Sequence, residues 1–255
     1  MSVNDSAEVP DDRNDVFASG AYWREYYASL GHENREVGEF LLETARSFSA
    51  GRLKILDAGC GPTLLYWAVF VPGDNEIHGF DISASNIRDN RKRMDDVRRG
   101  LFDPGLVEAA CYAIQSMSAG TTPENHLAAK AEQVASLSVA DLSRRWPYAS
   151  EKFDLVQSCF ALEALPDWTS FDAALREVGR ILRPGGRLAL VNGSQGTGWI
   201  CDKHMIPTLF ITPEDLIRRI ESSGMRVLSV CEVESADTDW RTQGYSKILL
   251  TSATK

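Results

Sequence analysis

Short apolar runs and helix-length stretches take turns along this chain, and that alternation limits its possible folds more than any other feature. "LKILDAG" reads as a strand stopped by glycine, "PTLLYWAVFV" as an apolar helix and "NEIHGFD" as a second strand. "SASNIRDNRKRMDDVRR" is a polar helix, "ASLSVAD" a third strand and "KFDLVQSCFAL" a fourth. The helix "TSFDAALREVGRIL" then ends at "RPGG", and "RLALVN" is a fifth strand. Parallel neighbours need a crossover, usually a helix, so the alternation predicts a parallel sheet covered on both faces. The helix "TPEDLIRRIESSG" has a capping threonine, a first-turn proline and a terminal glycine. Two strands, "MRVLSVCEVE" and "SKILLTSAT", follow in quick succession, which suits an antiparallel pair. The expected fold is a doubly wound α/β arrangement: a mostly parallel seven-stranded sheet with an antiparallel C-terminal edge strand.

Outside this frame, residues 1–16 read as a flexible polar tail. "AYWREYYASLG" and "NREVGEFLLETARSF" read as two helices, the second with Val37, Phe40, Leu41 and Ala45 on one face. Residues 100–135 carry a helical insertion, "PGLVEAACYAIQ" and "TPENHLAAKAEQVA". With no repeat and no change of composition, one domain over residues 17–255 is expected. The net charge of −9 argues against nucleic acid as a partner. Five scattered cysteines without a C-x-x-C, and four dispersed histidines, give no metal-ligand spacing and suit reduced thiols. No apolar run approaches a membrane span, and the N-terminal stretch has no apolar core of a signal peptide. A cytoplasmic monomer with no membrane partner is the expectation.

The first strand runs into Asp57-Ala58-Gly59-Cys60-Gly61-Pro62-Thr63. In such sheets ligands bind at the carboxyl ends of strands. Glycines there let a ligand approach the main chain. Asp81 ends the second strand and can accept from both hydroxyls of a ribose. Asp141 ends the third, where an acid can accept from an adenine amine. A nicotinamide dinucleotide site would want G-x-G-x-x-G, but Leu64 holds the third glycine's place. Asp57 beside the turn would repel a pyrophosphate. It suits a ligand carrying an ammonium group, and S-adenosylmethionine has one beside its ribose and adenine.

"LDAGCGPT", "GFDIS", "VADL", "FDLV" and "LRPGG" stand in the order of class I S-adenosylmethionine-dependent methyltransferases, which the chain resembles. "GCGPT", "DISASN" and the upstream "YWREYY" narrow the resemblance to the nicotinamide, phenylethanolamine and indolethylamine N-methyltransferase group. The resemblance implies that Gly59, with Cys60, Gly61 and Thr63, holds the methionine moiety. It puts Asp81 and Ile82 at the ribose, Asn86 in support, and Asp141 and Leu142 at the adenine. Cys159 falls near the cofactor carboxylate. Tyr22 and Tyr27 would close over the cofactor as part of an N-terminal helical lid. Tyr22 and Tyr26, and Trp23 and Tyr27, form two adjacent aromatic stripes, which core packing would also explain.

The segment after the fifth strand, "VNGSQGTGWICDKHMIPTLF", reads as a long glycine-rich loop. Relatives commonly end that strand with an acid that meets the acceptor; here Asn192 stands there, and an amide cannot neutralise a cation. Trp199 offers an apolar or cation–π wall, and Thr208 matches a hydroxyl that reaches the acceptor in relatives. Glu163, after the fourth strand, is placed to orient an amine, and Tyr26 joins the acceptor side. Loop structure alone would account for several of these. Taken together, the expected activity is methyl transfer from S-adenosylmethionine to a nitrogen of a small-molecule amine or N-heterocycle, leaving S-adenosylhomocysteine. It works by alignment and proximity, with no dedicated catalytic side chain and no metal. An oxygen or sulfur acceptor, or a non-catalytic cofactor-binding relative, are the alternatives.

Overall fold

A computed structural model describes residues 19–48, 51–235 and 244–255; the expected tail over 1–16 lies outside the described residues. Two helices open the described chain, α1 (Ser19–Tyr26) and α2 (His32–Arg46). Then come β1 (Lys54–Ala58), α3 (Leu64–Ala68), β2 (Glu76–Asp81) and α4 (Ala84–Arg98). The insertion supplies α5 (Pro104–Met117) and α6 (Pro123–Gln133), each with proline in its first turn and a side-chain cap, from Asp103 and Thr122. β3 (Val134–Val139), β4 (Phe153–Cys159), a single 3-10 turn (Leu162–Ala164), α7 (Trp168–Ile181) and β5 (Leu182–Ser194) follow. The chain ends with β6 (Gly198–Cys201), β7 (His204–Pro207), α8 (Pro213–Ser222), β8 (Arg226–Glu234) and β9 (Lys247–Thr254).

Seven strands form one sheet in the order β3-β2-β1-β4-β5-β9-β8. β3, β2, β1, β4 and β5 run parallel; β9 pairs antiparallel with β5 and with β8. The antiparallel C-terminal strand therefore sits one place inside the edge, with β8 outermost. From β1 the chain winds one way to β3 and then returns to start β4 on the other side. The order reverses between β1 and β4, and that crevice is where such sheets bind ligands.

The period of two along each strand divides the core. Ile55, Leu155, Ala189 and Val191 face one layer, with α1, α2, α3, α5 and α6. Leu56, Val156, Leu188 and Leu190 face the other, with α7 and α8. On α2, Val37, Leu41 and Ala45 are buried and Phe40 packs partly against them, as their spacing predicts.

The expected glycine-rich loop after the fifth strand is corrected. β5 extends to Ser194, and β6 and β7 pair as an antiparallel hairpin with Trp199 opposite Ile206. Its turn residues, Asp202 and Lys203, both have positive φ (46° and 68°). Such turns usually announce themselves with Asn-Gly or Asp-Gly. "CDKH" carries no such signal, which is why periodicity missed the hairpin.

Candidate active site

The turn after β1 is built by hydrogen bonds from three directions. The N–H groups of Gly59 and Cys60 both donate to Phe80 O (2.9 Å each). Gly61 N–H donates to Asp81 Oδ2 (2.9 Å), and Thr63 Oγ1 donates to Cys60 O (3.0 Å). Asn90 of α4 clamps the loop: its Nδ2 donates to Gly61 O (2.6 Å) and its Oδ1 accepts from Leu64 N–H (3.2 Å). Gly59 and Gly61 have φ of 72° and 51°. A Cβ at Gly59 would lie 2.5 Å from Ala161 Cβ and 2.9 Å from Leu142 Cδ1. The loops after β1, β3 and β4 thus meet at a point where only glycine fits. Phe160, just beyond β4, holds a positive φ of 56°, strained backbone at a ligand crevice.

These loops surround a cavity of about 270 Å³. Gly59, Gly61 and Thr63 line it from the β1 turn, and Asp81, Ile82 and Asn86 from the end of β2. Asp141 and Leu142 contribute from β3, Cys159 from β4, and Tyr22 and Trp199 from α1 and the hairpin. The cavity thus joins most of the residues expected to hold a cofactor. It also brings in Ser83, Ser143, Phe160, Leu165, Pro166 and Ile206, which sequence reasoning missed. Phe160, Leu165 and Pro166 flank Glu163 at the exit of the fourth strand, a position the sequence singles out; Ile206 reaches the cavity only through the hairpin.

Several expected residues stand elsewhere. Tyr27 does not line the cavity; it stacks on Trp23 (centroids 5.8 Å apart) and meets Tyr66 and Trp67 edge-on, buried in the core. Its link to the cavity is indirect, through the Tyr22 Oη–Tyr27 Oη hydrogen bond (3.1 Å). Asp57 and Cys60 lie behind the lining, both nearly fully buried. Asn192 is fully buried, paired opposite Leu249 of β9, and its amide lies beside the Glu163 carboxyl. Glu163 accepts from Gly193 N–H and is likewise closed off. Thr208 does not line this cavity; its N–H donates to Thr197 O (3.1 Å) at the base of the hairpin. Tyr26 borders a smaller chamber next door, with Glu33, Asn34 and Tyr245. Glu33 and Tyr245 carried no signal in the sequence, because neither sits in a motif.

The electrostatics are one-signed. Burial pushes the Asp57 carboxyl up to about 7, against a hydrogen bond from Gln157 Nε2 (3.1 Å). Burial also raises Asp81, although Ser83 N–H (2.8 Å), Gly61 N–H and Asn86 Nδ2 (3.1 Å) oppose it. Glu163 is pushed up to about 7 by burial, against the Gly193 N–H. The cavity lining holds no lysine, arginine or histidine. Buried carboxyls without a basic partner favour a cation and disfavour a pyrophosphate. Asn86 Oδ1 is buried with no hydrogen-bond partner, a polar atom awaiting a donor. These features fit the sulfonium nucleoside S-adenosylmethionine and do not fit a dinucleotide. No group of three or more His, Cys, Asp or Glu among the described residues is placed to hold a metal.

A seven-stranded sheet with its cavity at the β1/β4 reversal and an acid closing β2 defines the Rossmann-like methyltransferase fold. Solved structures agree. The [4+2]-cyclase SpnF superposes with a TM-score of 0.61 at 18% identity, over 89% of this chain and 82% of that one. An S-adenosylmethionine-dependent methyltransferase from Mesorhizobium loti gives 0.54 at 17%, over 88% and 97%. At such identities the likeness speaks for the fold alone. The sequence speaks for the family: residues 7–255 match the NNMT/PNMT/TEMT family, and the chain belongs to it. Phenylethanolamine N-methyltransferase of Mus musculus is 26% identical over 230 residues, 83% of this chain and 75% of that protein. Indolethylamine N-methyltransferase of Mus musculus is 24% identical over 86% of this chain and 85% of the relative. Nicotinamide N-methyltransferase of Sus scrofa is 23% identical over 68% and 66%. The protein is an S-adenosylmethionine-dependent methyltransferase.

Proposed function

We propose that this enzyme methylates a nitrogen of a small-molecule amine or N-heterocycle, using the cavity at the β1/β4 reversal for its cofactor. The observation that carries the reading is the pairing of that anionic cavity with an aromatic chamber that shares Tyr22, Phe160 and Trp199 with it. Asp81 keeps one acceptor position, on Oδ2, for a ribose hydroxyl, Asn86 Oδ1 lacks a donor, and Leu142 with Ser143 would border the adenine. Asp81, and Asp57 behind it when ionised, would supply negative charge to a cationic ligand in this cavity. Bound S-adenosylmethionine supplies an electrophilic methyl group on a positively charged sulfur.

The chain's own part is binding, orientation and exclusion of water. Tyr22, Phe160 and Trp199 wall the boundary between cavity and chamber, where an incoming nitrogen would be held in line. The leaving group is a neutral thioether, so no side chain has to protonate it. A neutral amine or ring nitrogen needs no base to attack. We read the enzyme as one domain over residues 17–255, acting as a monomer in the cytoplasm. No helix among the described residues is long and apolar enough to cross a membrane, and the net charge of −9 supports a small-molecule partner over nucleic acid.

Calorimetric titration with S-adenosylhomocysteine tests the cofactor half, and micromolar-range binding is expected. Transfer of radiolabelled methyl to a panel of amines, pyridines and phenols tests the acceptor half. Label appearing on phenols and not on amines would overturn the nitrogen assignment.

A further inference from the structure

One face of α4 grips two walls of the cavity at once. Asp89, Asn90 and Arg93 share that face, because residues three and four apart are neighbours on a helix. Asn90 clamps the β1 turn at Gly61 O and Leu64 N–H. Arg93, about one helical turn further on, extends the clamp: its Nη1 donates to Pro62 O (3.3 Å). The same guanidinium reaches α1, with Cζ 3.8 Å from the centroid of the Trp23 ring. Trp23 is held at its edge too, where Nε1 donates to Asp103 Oδ2 (3.1 Å). Asp89 accepts from Ser19 Oγ at the first residue of α1.

Trp23 matters because of its neighbour. Tyr22 precedes it on α1 and lines the cavity. A Cβ built on Gly61 would stand 3.9 Å from Tyr22 Cε1, so the turn and this ring are within van der Waals reach. Their spacing sets one end of the cavity. Arg93 itself does not line the cavity.

We propose that Arg93 is a positioning residue for the cofactor: it joins the Trp23 indole of α1 to the Pro62 carbonyl and so fixes how far Tyr22 stands from the Gly59–Thr63 turn. The proposal rests on the reading of this cavity as the S-adenosylmethionine site. Arginine suits the task. Its planar face attracts the ring while its in-plane N–H groups stay free to donate. Lysine brings the cation without the fork. Burial works against the charge on Arg93, and Asp89, Asp103 and Asp96 favour it.

The role is selective for one end of the ligand. The turn and Tyr22 are the walls that the family resemblance places around the methionine moiety. Asp81, Asp141 and Leu142 are those it places around the nucleoside. Loosening the first pair weakens a ligand that carries the amino-acid group and spares one that lacks it. Folding should survive the change. Arg93 borders an open groove of about 530 Å³ with Lys92, Phe102 and Asp103, so a truncated tip admits water and leaves no sealed void.

The test uses the full-length protein and two ligands, S-adenosylhomocysteine and 5′-methylthioadenosine, which lacks the amino-acid group. Calorimetry measures the first, and displacement of the first measures the second. Arg93→Met keeps an apolar stem and removes the cation and its donors. It is expected to raise the Kd for S-adenosylhomocysteine about ten-fold, the scale of one partly desolvated cation–π contact with one hydrogen bond. The Kd for 5′-methylthioadenosine is expected to change less than about two-fold. Arg93→Lys, which returns the cation to Trp23, is expected to recover part of the affinity, leaving a loss of about three-fold. Melting of the ligand-free proteins checks the fold. Should Arg93→Met melt early, Arg93→Lys carries the test with the same ligand selectivity. Unchanged S-adenosylhomocysteine affinity in a folded variant, or equal weakening of both ligands, would overturn the positioning role alone. Failure of wild type to bind S-adenosylhomocysteine would overturn the cofactor reading and the positioning role with it.

Discussion

Asp57 should make this protein less stable as pH rises, and its neutral isostere should remove that loss. The side chain is 1% exposed at the end of β1, with one hydrogen bond from Gln157 and Asp81 nearby. Burial lifts its carboxyl from the ordinary 3.8 to about 7. Between about pH 4 and 7 the folded protein therefore holds a proton that the unfolded chain has lost. The stabilisation is complete below pH 4 and disappears as pH rises through 7. At ~1.4 kcal/mol per pH unit, the whole swing is on the order of 4 kcal/mol. Asp57→Asn resembles the protonated acid in shape and does not titrate. Urea unfolding of both proteins at pH 4, 6 and 8 gives the difference directly, with other titrating groups such as Glu163 cancelling. The variant should match wild type near pH 4 and exceed it by about 2–4 kcal/mol at pH 8. The sign reverses for ligand binding. A cationic ligand favours the ionised carboxyl, so wild-type affinity for S-adenosylmethionine should rise from pH 6 to 8, and that of Asp57→Asn should stay flat. Parallel stability profiles for the two proteins would refute the argument that burial governs this carboxyl.

Asp81→Ala leaves the N–H groups of Gly61 and Ser83 without their acceptor and removes the proposed ribose contacts. At ~1.5–3 kcal/mol per hydrogen bond to a charged group, the Kd for S-adenosylhomocysteine should rise about 10- to 100-fold by calorimetry. Gly59→Ala forces a Cβ to within 2.5 Å of Ala161 at a positive φ, so a loss of about 1–3 kcal/mol in urea unfolding is expected. Tyr27→Ala should behave as a core deletion, costing about 3–5 kcal/mol, because the ring is packed among Trp23, Tyr66 and Trp67; unchanged stability with weakened cofactor binding would return it to the lid.

Much of the framework was legible in the order of residues alone. Strand and helix spacing follow from which side chains can turn toward a core, and that information is local. The Gly59/Gly61 turn and the acids closing β2 and β3 could be read for the same reason: each lies at the end of an element whose position the topology dictates. Where the sequence misled, the deciding contact was distant in the chain. Tyr22 and Tyr27 share one motif, Tyr22 inside α1 and Tyr27 just past its end, yet only Tyr22 reaches the cavity. The difference is the packing of Tyr27 against Trp23 of α1 and against Tyr66 and Trp67 of α3. Position 192 looked like an acceptor contact because "RLALVN" reads as a strand ending there, but β5 runs on to Ser194 and the Asn192 amide is buried beside Glu163.

What the sequence determined by itself, then, was the sheet, the glycine turn after β1 and the family resemblance, all written in short-range patterns. Only the tertiary structure assembled the small aromatic chamber beside the cavity. It takes Tyr22 from α1, Glu33 from α2, Trp199 from an unannounced hairpin and Tyr245 from the approach to β9. No spacing rule links residues so far apart; they meet because the sheet order brings their elements to the same end of the same crevice.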